Sequence, residues 1–114
     1  MKHLIPLALL IPLAALAQQP LQGPNWRGEV LSFTGSVIAV GAPLHSTPCV
    51  QVRVEPSARF SGGRAWVCDQ AVSGLQVSQR VAVEGVATET RLTKMGGNRR
   101  VVPVLTQATV RPLP

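Results

Sequence analysis

The chain has no tyrosine, only two tryptophans and two phenylalanines, and just five acidic residues in 114. Asp69 is its one aspartate, and His45 is the one histidine outside the first few residues. So small a stock of carboxylates and imidazoles leaves little with which to build acid–base or nucleophilic chemistry. A nucleophile, base and orienting group would require Ser46 or Ser73 to meet His45 and Asp69, and nothing in their spacing suggests it. No enzymatic activity and no cofactor are expected. Sustained helical periodicity is missing from every window of a dozen residues, which argues against a helical fold. Internal repeats are missing too.

Long apolar runs are confined to the start of the chain. Lys2 and His3 precede an uncharged stretch from Leu4 to Leu16, interrupted by Pro6 and Pro12. At about 13 residues it is shorter than the roughly 20 needed to span a bilayer as a helix. Ala15-Leu16-Ala17 then supplies the small residues at −3 and −1 of a signal-peptidase site, so residues 1–17 read as a cleaved signal peptide. No cysteine follows Ala17, so the usual lipid-attachment site is missing. The expected location is therefore periplasmic or secreted, with no transmembrane segment after cleavage. Residues 18–25, with two prolines and a glycine, read as a flexible lead-in, and 26–114 as one domain.

What that domain does contain is strand-forming sequence, rich in Val and Thr and punctuated by Gly, Pro and Ser. A long first strand is expected over Gly28–Val40, with Leu31, Phe33, Val37 and Ala39 alternating and Gly35 marking a bend. The second runs Cys49–Glu55 and the third Arg64–Asp69. Asp69 is placed to cap one helical turn through Val72, stopped by Gly74. The fourth strand is expected at Gln79–Thr88. A basic loop over Thr90–Arg100, turning at Gly96-Gly97, leads to a fifth at Arg100–Arg111, where Pro103 suggests an edge or a bulge.

Two cysteines in an exported chain imply one disulfide. If strands two and three form an antiparallel hairpin, placing Cys49 opposite Cys68 also sets Val50 against Val67 and Val52 against Ala65. The same register sets Gln51 against Trp66 and Arg53 against Arg64. All apolar pairs then share one face, an agreement that a one-residue slip would destroy. The alternatives are two buried thiols, or a metal held by His45, Cys49, Cys68 and Asp69; zinc sites favour closer cysteine pairs.

Five strands with a short helical element between the third and fourth resemble the oligonucleotide/oligosaccharide-binding barrel, the OB-fold. Gly74-Leu75-x-Val77-x-x-x-Val81-x-Val83-x-Gly85 is similar to the segment that enters and forms the fourth strand of such domains. The implied fold is an all-β, five-stranded Greek-key barrel with at most one short helix. A second resemblance is to the Slp-type starvation-inducible outer-membrane lipoproteins. It is carried by Trp26-x-Gly28-x-Val30, a Val-rich second strand ending in Glu55-Pro56, Gln79-Arg80-Val81-x-Val83-x-Gly85, and Val101-Val102-Pro103-Val104. The lipid-accepting cysteine of that family is absent here.

The OB resemblance implies a ligand surface on the outer face of strands two and three and on the loop between strands four and five. Gln51, Arg53, Arg64 and Trp66 fall on that face, and Arg91, Lys94, Arg99 and Arg100 in that loop. Opposed Arg53 and Arg64 repel by a few tenths of a kcal/mol, a cost that a bridging anion would relieve. Trp66 is placed either to stack on a ring of the ligand or to cover the disulfide. With ten Lys/Arg against five Asp/Glu after Ala17, the expected function is an exported binding or adaptor module for an anionic polymer or glycan. The alternative is a structural envelope protein that binds another protein. Nucleic acid is not expected, because exported proteins seldom meet it and the chain lacks a row of stacking aromatics.

Overall fold

The computed structural model describes residues 20, 21, 26–44, 46–95 and 97–114. The expected signal peptide lies outside them, as does most of the lead-in. Leu21, within that lead-in, is fully buried, and its N–H donates to the Gly62 carbonyl.

Five strands form a closed barrel: β1 (Val30–Leu44), β2 (Thr47–Val54), β3 (Gly63–Cys68), β4 (Arg80–Met95) and β5 (Asn98–Pro112). Their order around the barrel is β1-β2-β3-β5-β4, with β3 and β5 parallel and the other neighbours antiparallel. β1 belongs to both sides of the closed sheet. Its first half pairs with β4, and from Gly35 onward it pairs with β2. Gly35 sits where both partners come close: a Cβ there would collide with the Arg53 carbonyl and the Val52 side chain. A bend in a long strand needs this small residue.

Alternation explains the interior. Leu31, Phe33 and Val37 from β1 meet Val50, Val52 and Val54 from β2, with Ala65 and Val67 from β3 and Val81 and Val83 from β4. Trp26 and Phe60 close one end, their rings edge-to-face at 6.1 Å, the arrangement the aromatic quadrupole favours. Between β3 and β4 the chain makes one 3-10 turn, Gln70–Val72. Asp69 caps it as expected, one carboxylate oxygen accepting from the Ala71 N–H at 2.8 Å. Its other oxygen accepts from Ala108 N–H at 3.3 Å, tying the turn to β5.

The main departure from expectation is at the far end of β4. Residues expected to form a basic loop instead continue both strands, pairing Thr90 with Pro103 through to Met95 with Asn98. Gly97, just before Asn98, has φ +85°, the left-handed conformation that tight hairpin turns use. The basic segment is thus a two-stranded arm. Pro103 lies in it just before β5 gains β3 as a second neighbour at Val104.

Candidate functional site

The β2–β3 register is the one deduced from the cysteines, with Cys49 opposite Cys68, Gln51 opposite Trp66 and Arg53 opposite Arg64. Cys49 and Cys68 are bonded to each other, with Cα atoms 4.1 Å apart. That leaves no thiolate for a metal, and among the described residues no group of three or more His, Cys, Asp or Glu side chains could hold one. His45 lies outside the described residues.

The outer face of this hairpin is not simply exposed. Both cysteines are buried, and with Val104 and the half-buried Trp66 they form a small apolar cluster outside the barrel. Trp66 leans across β2 until the Cζ3–Cη2 edge of its six-membered ring abuts Gly41 of β1, where a Cβ would collide with that edge. The guanidinium carbon of Arg91 lies over the same indole, 4.7 Å from the ring centroid. Arg91 is on β4, two strands from Trp66, and reaches it across β5. Val102, opposite Arg91, is in consequence fully buried.

Pairing also sorts the eight residues singled out from the sequence. Trp66 pairs with Val104 in β5, and strand alternation puts Val102 on the same face. Opposed residues share a face, so Arg91 and Arg100 belong to the Trp66 side of the arm, with Thr93 opposite Arg100. Arg53 and Arg64 lie on that face too. Lys94 and Arg99 oppose each other on the other side of the arm, behind Leu92 and Val101. Gln51 does not join the surface: only 6% of it is exposed, and its Nε2 has no hydrogen-bond partner among the described residues. Trp66 lying over β2 accounts for that burial, a relation spanning three strands.

Two neighbours were missed in the sequence. Glu89 opposes Val104 and so brings one carboxylate to the face. Gly41 is the seat of the indole, and nothing local distinguishes it from a turn glycine. Arg80 is engaged elsewhere, its guanidinium 3.1 Å from the Glu55 carboxylate, which also accepts from the Thr34 hydroxyl at 3.0 Å.

Two hollows flank these groups. One of about 310 Å³ lies past the Gly41 edge of the indole, lined by Val40, Cys49, Val50, Val72 and Leu75 among others. A wider cleft of about 530 Å³ opens over β1, β4 and β5, bordered by Ser32, Thr34, Ser57, Glu84, Thr109 and Arg111. The wider cleft presents neither tryptophan nor a group of arginines.

No protein-family model matches the chain, and no curated protein matches it significantly. Solved structures do. A mitochondrial single-stranded DNA-binding protein from S. cerevisiae, Rim1, is similar over 75% of this chain and 95% of its own, with 13% identity and a TM-score of 0.52. A selenomethionine-labelled crystal of the same yeast protein gives 11% identity and the same TM-score of 0.52. A small single-stranded DNA-binding protein from Streptomyces coelicolor aligns at 19% identity with a TM-score of 0.46, over 75% of this chain and 94% of its own. The fold is an OB-like barrel, as the sequence resemblance implied.

The same neighbours correct three expectations. The expected exported module for an anionic polymer or glycan, and the alternative of an envelope protein that binds another protein, are corrected: the neighbours of this fold are single-stranded DNA-binding proteins. Setting nucleic acid aside as a partner is corrected with them. The periplasmic or secreted location is corrected as well, the yeast neighbour being mitochondrial. An apolar leader and few aromatics do not exclude nucleic acid. A phosphate backbone is met by clustered cations, and a single indole offers a face that any base can use.

Proposed function

We propose that this protein binds single-stranded nucleic acid across the outer face of β2 and β3 and along the near side of the β4–β5 arm. The observation that carries the reading is Trp66, its ring edge seated on Gly41 and its face under Arg91. It stands on the surface that OB barrels offer to ligands. Arg53, Arg64, Arg91 and Arg100 supply the cations on that surface, and the indole supplies a stacking platform. The yeast neighbour of the same fold is a single-stranded DNA-binding protein. The resemblance to Slp-type lipoproteins has no part in this reading.

Such a site recognises backbone charge and base faces, not base edges. Buried Gln51 lies out of reach of a base, so little sequence preference is expected. The test is anisotropy of a labelled oligothymidylate titrated with the protein at several salt concentrations. Four cations each meeting a phosphate give a slope of log affinity against log salt of about −3, at roughly −0.7 per contact for single strands. Absence of binding at low salt, or binding indifferent to salt, would sink the reading.

A further inference from the structure

Arg91 occupies the very surface on which a base would have to stack. Its guanidinium carbon stands 4.7 Å from the centroid of the Trp66 ring. The edge of that ring away from β3 is already seated on Gly41. Trp66 also packs against the buried cluster of Cys49, Cys68 and Val104, so a base that takes the face under Arg91 has to move that side chain. The side chain can move: Arg91 is exposed, it belongs to an arm with no third strand alongside Arg91 among the described pairings, and its ring contact is of the modest strength of an exposed cation–π pair. The group it would leave for is also at hand. A nucleotide stacked on Trp66 carries its phosphate within a side chain's length of the ring, and a guanidinium pairs with phosphate through two parallel hydrogen bonds.

Building on the nucleic-acid reading, we infer that Arg91 is a swinging residue. It covers Trp66 in the free protein, yields that face to a base, and then clamps the adjoining phosphate. One residue thus acts as competitor before binding and as ligand contact after it. Arg53 and Arg64 differ: they face each other across β2 and β3, and neither stands over an aromatic ring of the described residues.

The swing has a signature that neither role gives alone. Arg91→Ala removes the competitor, which favours binding by about two- to fivefold wherever electrostatics are screened, the ratio equivalent to an exposed cation–π contact. It also removes one phosphate contact, reducing the salt slope by about 0.7, or about fivefold in affinity per decade of salt. The plots of log affinity against log salt for wild type and Arg91→Ala should therefore cross, the variant being weaker in dilute salt and tighter in concentrated salt. Acrylamide quenching of tryptophan fluorescence without nucleic acid supplies an independent readout. Trp26 is only 4% exposed, so quenching reports on Trp66 and should rise in the variant.

Parallel plots, or a variant tighter at every salt, would overturn the swing, as would unchanged quenching. A wild-type protein that binds no oligothymidylate at any salt would overturn the nucleic-acid reading and the swing together. Normal wild-type binding with no crossing would overturn the swing alone.

Discussion

The hydroxyls of Thr88 and Thr106 lie 2.7 Å apart, one donating to the other. These two residues are the ones left over when β4 and β5 are paired. Val86 faces Gln107, Ala87 faces Leu105 and Glu89 faces Val104, so each strand has one residue too many at the same place. Paired bulges bend and twist a ribbon. Here they mark where the ribbon stops being barrel wall and becomes the arm. They also turn the Ala87 backbone toward the start of the domain: its N–H donates to the Glu29 carbonyl at 2.9 Å and its carbonyl accepts from Gly28 N–H.

That contact gives a first prediction. Thr88→Val and Thr106→Val should each cost about 0.5–1.5 kcal/mol, the usual net worth of one hydrogen bond. The double variant should cost less than the sum, because the second change removes a partner already lost. Urea midpoints of the four proteins measure the coupling, and strict additivity would show that the hydroxyls do not interact.

The disulfide closes a loop with sequence separation 19. Replacing both cysteines by alanine should lower stability by roughly 3 kcal/mol in the chain-entropy treatment. The urea midpoint should fall and the slope should steepen, because the unbridged denatured chain is more expanded, and the variant should match the reduced wild-type protein.

Two glycines separate barrel from site. Gly35→Ala sets a methyl against a backbone carbonyl and a core valine, and overpacking of this kind costs about 1–3 kcal/mol. Gly41→Ala meets the Trp66 ring first, a side chain that can swing away. The first should therefore show mainly in the denaturation midpoint. The second should show mainly as higher acrylamide quenching and weaker oligothymidylate binding.

Removing the stacking platform tests the site directly. Trp66→Ala should weaken oligothymidylate binding by about 1–3 kcal/mol, the range for one base on one aromatic ring. Its salt slope should stay near that of the wild type, since no cation is lost. Arg53→Ala and Arg64→Ala should each flatten the slope by about 0.7, whereas Lys94→Ala, on the far side of the arm, should leave it close to unchanged.

Much of the barrel was legible in the residues. Strict alternation through Val50, Val52 and Val54, together with two cysteines, admits one register for β2 and β3, and that register is present. The arm was harder to read. Beyond the buried Val102 and Pro103 its strands bury little, so Leu92 and Lys94 opposite Val101 and Arg99 lack the hydrophobic face by which strands are usually recognised. Charges there suggest a loop, although Gly97 does have the positive φ of a turn. Gln51 was misread for another reason. A single alternating strand gives its face but not what lies across it, and its burial depends on Trp66 reaching to Gly41 on a third strand. Likewise, separating Arg91 and Arg100 from Lys94 and Arg99 needs the arm's pairing, which charge alone does not supply.

One covalent feature bears on how the molecule survives damage. The segment from Pro56 to Ser61 joins β2 to β3 and is exposed except at Phe60, which makes it an inviting target for a protease. Cutting there would split the backbone, yet the sulfur bridge beyond it would keep the two pieces one molecule. The clipped protein should run as a single species on a denaturing gel until a reductant is added.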